Sequence, residues 1–133
     1  MSNSNAANNK AIVLEAMDTL FNKRDFEKAK TFWSPNYIQH SAIIDPGRDG
    51  LFNLIKGLPK SGYENDLIVA EGDYVIMHNR YQTGEGANLI GADIFRIESG
   101  VLAEHWDVLQ SEVSSKESKS GNPMFGKKFP GEK

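Results

Sequence analysis

The sequence predicts an α+β fold, in which helices from the first half of the chain pack on one face of a sheet formed by the second half. Two observations support this. Apolar residues recur at helical spacing as far as residue 56, whereas from Tyr63 onward four stretches rich in β-branched and aromatic residues alternate with short turns. Short connections make successive strands antiparallel. Helices followed by a strand meander are typical of this class.

The helical half contains three predicted helices. The first runs from Lys10 to about Lys23, because residues 13, 17, 20 and 21 form one apolar stripe. Asp25 is a suitable N-cap for a short second helix, which Ser34–Asn36 ends. A brief extended piece, Tyr37–His40, follows. The third helix is predicted over Arg48–Lys56, before Gly57 and Pro59 in the sequence.

Four strands are predicted in the second half, separated by Gly-containing turns: Tyr63–Glu71, Tyr74–Thr83, Asn88–Glu98 and Val101–Val113. We therefore divide the chain into a disordered N-terminus (1–9), a single domain (10–113) and a loosely ordered tail (114–133). The tail is polar except around Met124 and Phe125, through which it could dock on the domain.

Composition excludes several function classes. The 133 residues carry a net charge of −3 without a basic stripe, so we expect no nucleic-acid partner. The absence of Cys excludes disulfides, thiolate metal sites and thiol nucleophiles. No apolar run is long enough for a membrane span, and MSNSNAANNK lacks the apolar core of a signal peptide, so a cytoplasmic location is expected. The Gly clusters lack a phosphate-binding signature, and no cofactor is predicted.

The turn between the last two strands determines which residues share a face of the sheet. A three-residue loop, Glu98–Gly100, would pair Ile97 with Val101 and Asp93 with His105. A two-residue loop would instead pair Asp93 with Trp106 and send His105 to the other face. We prefer the first, because Ser-Gly lacks the Asn or Asp that the tight primed turn favours.

In the preferred register, polar and apolar side chains share one face of the hairpin: Asp93, Phe95, His105, Asp107 and Leu109. Carboxylates and an imidazole on an otherwise apolar face indicate a pocket rather than a plain core. A buried Asp93 could stay protonated and donate a hydrogen bond to an enolate oxygen. The alternative to this functional interpretation of Asp93 is a solvated or ion-paired carboxylate without a catalytic role. His105 beside Asp93 could be a proton shuttle or a structural partner.

The other two histidines likewise allow both a functional and a structural interpretation. His40 could be a base or a surface residue, and His78 could line a pocket, although a hydrogen-bonded core histidine is the commoner case. His40, His78 and His105 lie on three separate elements without metal-ligand spacing, so no metal site is predicted. Trp33, Tyr37 and Phe95 could line a pocket for a flat hydrophobic ligand or simply form core. Trp106, facing away from Asp93, suits a dimer surface.

Several stretches resemble the SnoaL-like polyketide cyclases of the NTF2-like superfamily, which includes the ketosteroid isomerases. The specific ones are Asp93–Arg96 and Glu104–Asp107, and Gly121–Phe125 resembles the ending of a subgroup named for a predicted aldol-condensation activity. The resemblance implies a cone-shaped α+β barrel with three N-terminal helices packed on a strongly curved, mostly antiparallel sheet. It also implies a pocket between helices and sheet, and a homodimer through the outer sheet face.

Functional residues carry over from this resemblance only in part. The family's pocket acid falls on Asp93, and the isomerases' general base falls on His40, a change of residue type. Their oxyanion tyrosine falls on Met17, which argues against steroid isomerase activity as such. The resemblance thus implies a cofactor-independent cyclase, isomerase or aldol-type enzyme with Asp93, His105 and His40 as catalytic candidates. The alternative is a non-catalytic ligand-binding or dimeric interaction module, since the fold alone does not decide function.

Overall fold

The computed structural model describes residues 3–59, 61–84 and 86–132, which form three α-helices, one π-helical turn and five strands. In chain order these are α1 (Asn3–Met17), the π-helical turn (Asp18–Asn22), α2 (Phe26–Ala29), β1 (Trp33–Gln39), α3 (Gly47–Gly57), β2 (Gly62–Glu71), β3 (Tyr74–Gln82), β4 (Leu89–Glu98) and β5 (Val101–Ser111).

The five strands form one curved, mostly antiparallel sheet in the order β1-β5-β4-β3-β2, with β1 parallel to β5. The sheet does not close, so β1 and β2 are its edges. The helices pack on its concave face, and the core lies between them. Val13, Leu20, Trp33, Ile55 and Phe95 are among the buried side chains there. The predicted α+β class is confirmed, with an open sheet rather than a closed barrel.

Helix α1 begins at Asn3, earlier than the predicted start at Lys10. The polar segment before Lys10 contains neither Gly nor Pro, so nothing in it breaks a helix. The Asn9 side chain also donates to the Gly72 carbonyl at 3.4 Å, which ties the helix to the β2–β3 turn. Met1 and Ser2 lie outside the described residues. The predicted end near Lys23 is confirmed, because the Lys23 N–H closes the π-helical turn on the Asp18 carbonyl.

The segment Ser34–Asn36, predicted to break the chain before a short extended piece, lies inside β1. Pro35 is tolerated because β1 is an edge strand, and the pairing of β1 with β5 is irregular between Trp33 and Ile38. The predicted N-cap is confirmed, since the Asp25 carboxylate accepts the Lys28 N–H at 3.1 Å.

The register of the β4–β5 hairpin differs from the preferred prediction. Glu98 pairs with Val101, so the loop has two residues, and both Ser99 and Gly100 have positive φ, as in a type I′ turn. Beyond the turn, Ala103 is an extra residue, and Asp93 then pairs with Asp107 rather than with His105. The shorter loop and the bulge each shift the pairing by one residue. Beyond the bulge the two shifts combine, so the side chains from Glu104 onward return to their predicted face.

The tail docks on the outer face of the sheet through Met124 and Phe125, as predicted. The Met124 sulfur accepts the Val113 N–H at 3.4 Å, and Phe125 is buried beneath the Arg80 guanidinium, 4.7 Å from its ring centre. Arg80 also bridges to the buried Glu112 carboxylate at 2.6 Å. None of the described helices is long and apolar enough to cross a membrane.

Candidate functional site

A cavity of about 90 Å³ opens between the helices and the concave face of the sheet. Its wall is mainly apolar, with its polar side chains contributed by β1, β3, β4 and β5. The residues that line it are Met17, Phe21, Trp33, Tyr37, Gln39, Ile43, Ile44, Leu51, Leu54, Ile55, Leu58, Tyr81, Thr83, Leu89, Asp93, Phe95, His105, Asp107 and Leu109.

The structure brings most of the predicted site residues to this cavity. All five residues predicted to share one face of the hairpin line it, together with three others from the helical half: Met17, Trp33 and Tyr37. Asp93 is 1% exposed and His105 is 5% exposed. The sequence therefore placed these eight side chains around one cavity, although the predicted pairing of Asp93 with His105 is wrong.

His40 does not reach the cavity, which contradicts its prediction as the base. It follows the end of β1 and turns outward, where its ring stacks on Trp106 with centroids 4.9 Å apart. Its Nε2 lies 2.7 Å from Glu104 Oε2. Because His40 lies outside the cavity, its stacking on Trp106 also shows that Trp106 faces away from Asp93, as predicted.

His78 lies on the outer face as well, because it has the opposite strand parity to the inward-facing Met77 and Asn79. Its ring packs on Phe125, and its Nδ1 lies 3.4 Å from Asp66 Oδ1 without hydrogen-bond alignment. His78 is therefore not a pocket residue. The three histidines occupy three separate environments.

The Asp93 carboxyl group forms hydrogen bonds with three side chains. Its Oδ2 accepts Tyr81 Oη–H at 2.6 Å and Asn79 Nδ2–H at 2.9 Å. Its Oδ1 lies 2.8 Å from His105 Nε2. Oδ2 thus has two donors and Oδ1 has one partner, so most of the hydrogen-bonding capacity of the carboxyl group is used within the protein. This pattern favours a supporting role for Asp93 over direct hydrogen bonding to an enolate oxygen.

The Gln39 amide determines the proton arrangement of His105. Gln39 Oε1 accepts the Ser41 backbone N–H at 3.0 Å, and because that donor needs an oxygen, the orientation of the amide is fixed. The same Oε1 lies 2.7 Å from His105 Nδ1, so Nδ1 must be the donor. A proton must then lie between His105 Nε2 and Asp93 Oδ1, since two lone pairs at 2.8 Å would repel. Both ring nitrogens of His105 are occupied.

Asp107 is the remaining carboxyl group of the cavity. It lies directly opposite Asp93 on the neighbouring strand, and no Lys or Arg among the described residues forms an ion pair with it. Burial raises the pKa of Asp107. The Ser41 hydroxyl and the positive charge of His105 oppose this rise, and the charge of Asp93 adds to it. A half-buried carboxylate with a raised pKa, aimed into an apolar cavity, is suited to proton transfer.

Asp93, His105 and Asp107 each offer a ligand atom, and these atoms lie within 4.8 Å of one another. A metal ion there would have to replace the proton between Asp93 and His105. In this structure two of the three groups form a hydrogen-bonded pair beside the third, the Asp107 carboxylate.

Three members of the hydrogen-bond network were missed from the sequence: Gln39, Asn79 and Tyr81. Asn79 and Tyr81 alternate with His78 along β3, so strand parity could have placed them inside once His78 was assigned outside. Gly91 was missed too. A Cβ there would come within about 3 Å of Leu109, Asp93 and Tyr81, so a larger residue would require these side chains to shift by a few tenths of an ångström.

The curved open sheet with helices on its concave side, enclosing a buried polar cluster, defines the NTF2-like class of protein. Within that class, residues 13–105 match the model of the SnoaL-like domain, and the chain belongs to this family. A search of curated proteins found no match.

Solved structures with the same fold have diverse descriptions. A candidate ketosteroid isomerase from Kribbella flavida is 15% identical, with a TM-score of 0.70 and 82% of each chain covered. A candidate polyketide cyclase from Acidithiobacillus ferrooxidans is 18% identical, with a TM-score of 0.66, 77% of this chain and 88% of that one covered. AclR, a candidate hydroxylase from Streptomyces galilaeus, is 24% identical, with a TM-score of 0.65 and coverages of 79% and 90%. At such identities the likeness establishes the fold alone.

Proposed function

We propose that this protein is an acid–base enzyme that acts on a small, neutral, enolisable carbonyl compound bound in the cavity. The observation that supports this most directly is the Asp107 carboxyl group, which lines an apolar cavity, has a raised pKa and is not engaged by a Lys or Arg among the described residues. Such a group is a general base whose proton affinity is shifted toward the working pH.

Asp107 would remove the proton alpha to the carbonyl group. The C–H electron pair then forms the carbon–carbon double bond of the enolate, and the carbonyl π electrons move to the oxygen. Protonated Asp107 can return the proton to the alpha carbon, which gives exchange. Where a carbon–carbon double bond is conjugated with the enolate, it can instead deliver the proton to the gamma carbon, which gives isomerisation. Attack of the enolate carbon on a second carbonyl group gives cyclisation or an aldol product. All of these reactions share the first step, and none requires a cofactor.

Asp93 and His105 would support this base rather than act as bases themselves. Their polar atoms are occupied by Gln39, Asn79, Tyr81 and each other. The positive charge of His105 opposes the rise in the Asp107 pKa. This keeps Asp107 ionised at a lower pH than burial alone would allow.

The cavity favours a neutral substrate. None of its described lining residues is a Lys or Arg, and the cationic His105 is already paired with Asp93, so an anionic ligand would be desolvated without a free cationic partner and beside Asp107. Apolar walls formed by Phe95, Leu109 and the helices suit a hydrophobic ring. The descriptions of related structures as candidate isomerase and cyclase are compatible with this substrate class.

The test is exchange of alpha protons of small ketones in D₂O, followed by ¹H NMR. Cyclohexanone is a suitable first probe. We expect Asp107→Asn to lower the exchange rate by roughly two to four orders of magnitude, the usual contribution of a positioned general base. The matched control is Asp73→Asn, which removes an exposed carboxylate from the β2–β3 turn. Wild-type exchange should also fall as the pH is lowered through the raised pKa of Asp107, because only the ionised form accepts a proton.

The alternative, a non-catalytic ligand-binding module, gives a different result in the same experiment. Saturable binding of the ketones with equal, background exchange rates in wild type and Asp107→Asn would end the enzyme proposal and leave the binding module.

A further inference from the structure

Tyr37 is a second polar group of the cavity whose hydrogen-bonding capacity is not used up. It is 4% exposed and lies on β1. Its hydroxyl oxygen accepts the Gln39 Nε2–H at 3.1 Å. This direction is certain, because the Ser41 N–H fixes Gln39 Oε1 on the other side of the amide. Tyr37 therefore keeps its own O–H hydrogen for another partner.

No acceptor for that hydrogen is found among the residues that the structure describes. A second donor, the Trp33 indole N–H, lies close enough to the Tyr37 oxygen to oppose the rise of the Tyr37 pKa. This indole N–H is buried and has no aligned partner of its own. With the Gln39 amide donating to its oxygen and the Trp33 indole N–H nearby, the Tyr37 hydroxyl is left as a donor toward the cavity that it lines.

Tyr81, the other tyrosine of the cavity wall, is in the opposite situation. Its hydroxyl donates to Asp93 Oδ2 at 2.6 Å and accepts the Asn79 Nδ2–H at 3.2 Å. Both of its functions are satisfied within the protein. A buried donor without an acceptor is costly, and in native structures it usually marks a place that a ligand or a water fills.

We propose that the Tyr37 hydroxyl is the hydrogen-bond donor that binds the substrate carbonyl oxygen and stabilises the enolate oxygen as Asp107 takes the alpha proton. This inference rests on the proposed function. Tyr37 keeps its proton throughout, and only the C–H bond of the substrate breaks. Gln39 is then a positioning residue, because it orients Tyr37 through Nε2 and His105 through Oε1.

The environment of Tyr37 suits a donor that is not itself deprotonated. Burial raises the pKa of Tyr37, and the negative charges of Asp93 and Asp107 add to the rise. A neutral phenol facing a developing oxyanion in an apolar cavity provides electrostatic stabilisation of the kind found in oxyanion holes.

Infrared spectroscopy of bound cyclohexanone, ¹³C-labelled at the carbonyl carbon, tests the contact directly. A hydrogen bond to the carbonyl oxygen lowers its stretching frequency. We expect a lowered frequency in wild type and in Asp107→Asn, and a return toward the value in apolar solvent in Tyr37→Phe. Tyr63→Phe is the matched control, because Tyr63 packs against Phe21 and Tyr81 but does not line the cavity. Tyr37→Phe should also lower the exchange rate by roughly two to three orders of magnitude.

Gln39→Glu provides a second test that keeps Tyr37 in place. A carboxylate oxygen in the position of Nε2 would accept the Tyr37 hydrogen instead of donating to its oxygen. The lowered carbonyl frequency should therefore be lost in this variant, as in Tyr37→Phe. Equal frequencies in wild type, Tyr37→Phe and Gln39→Glu, or failure of the wild type to bind cyclohexanone, would overturn the assignment. A Tyr37-dependent shift without any Asp107-dependent exchange would instead retain the donor and refute the enzyme.

Discussion

At the scale of single residues, a network of side-chain hydrogen bonds with fixed donor directions determines what each polar group of the site can do. A backbone N–H orients Gln39, Gln39 fixes the His105 ring, and His105 shares a proton with Asp93. Because the polar groups of this network are hydrogen-bonded to one another, Asp107 and Tyr37 are the groups that we propose as base and donor for a ligand. Roles in this site thus follow from which atoms remain unpaired, rather than from residue type.

Gln39→Leu should release the His105 ring and destabilise the protein by about 1–3 kcal/mol, since it leaves the buried Nδ1–H and the Ser41 N–H without their acceptor. In wild type we expect ¹⁵N NMR to show a slowly exchanging proton on His105 Nδ1. That signal should disappear in Gln39→Leu, with a matching loss in urea unfolding. Gln82→Leu, an exposed glutamine on β3, should change neither quantity. An Nδ1 without a proton in wild type would refute the proton arrangement.

The sequence alone could not predict the roles of the individual side chains in the site. The sequence identifies Asp93, His105 and Asp107 as polar residues on an apolar face. Which role each can take depends on contacts with residues of β1 and β3, which are distant from them in the sequence. Gln39 lies 66 residues from His105. The neighbouring His40, one of the two histidines that the sequence offers as a base, faces outward, as its alternative interpretation as a surface residue predicts.

At the scale of elements, the β4–β5 hairpin shows how a wrong register can still give the right face. The type I′ turn and the Ala103 bulge each change the pairing by one residue. Strand alternation preserves the face when two shifts combine. Hydrophobic alternation could predict that face, whereas a bulge has no comparable signal in a single sequence.

The turn itself gives a stability prediction. Ser99 has a φ of 52°, a left-handed conformation that Asn tolerates better than Ser and that β-branched residues tolerate poorly. We expect Ser99→Asn to raise the free energy of unfolding by about 0.5 kcal/mol, and Ser99→Val to lower it by about 1–2 kcal/mol. Urea denaturation measures both. The opposite order of the two variants would be inconsistent with a type I′ turn.

At the scale of the whole molecule, the outer face of the sheet carries exposed apolar side chains beside the docked tail. Val108 is 74% exposed and Leu67 is 63% exposed, with Val69, Tyr74 and Ile76 also exposed. A surface of this kind is typical of an interface.

The fold class, the helix order and the strand order along the chain were all predictable from periodicity, because each depends on local sequence patterns.

We propose that a second copy of the chain covers this outer face, as the family resemblance implies. Light scattering after size exclusion should then give twice the mass of one chain for the wild type. Val108→Glu should shift the protein toward the monomer, because it places a charge in the interface. Leu14→Glu, which adds the same charge on α1, should leave the mass unchanged. A monomeric wild type would refute the proposed dimer.

The proposed mechanism depends most directly on the protonation state of the Asp107 carboxyl group. Titration of its side-chain carboxyl carbon by ¹³C NMR, with Asp107→Asn to assign the signal, measures that state without any substrate. We predict a pKa above the ordinary aspartate value of about 3.9, because burial outweighs the opposing effects of Ser41 and His105. A pKa at or below that value would mean a solvated or hydrogen-bonded carboxylate, and would contradict the assignment of Asp107 as the base.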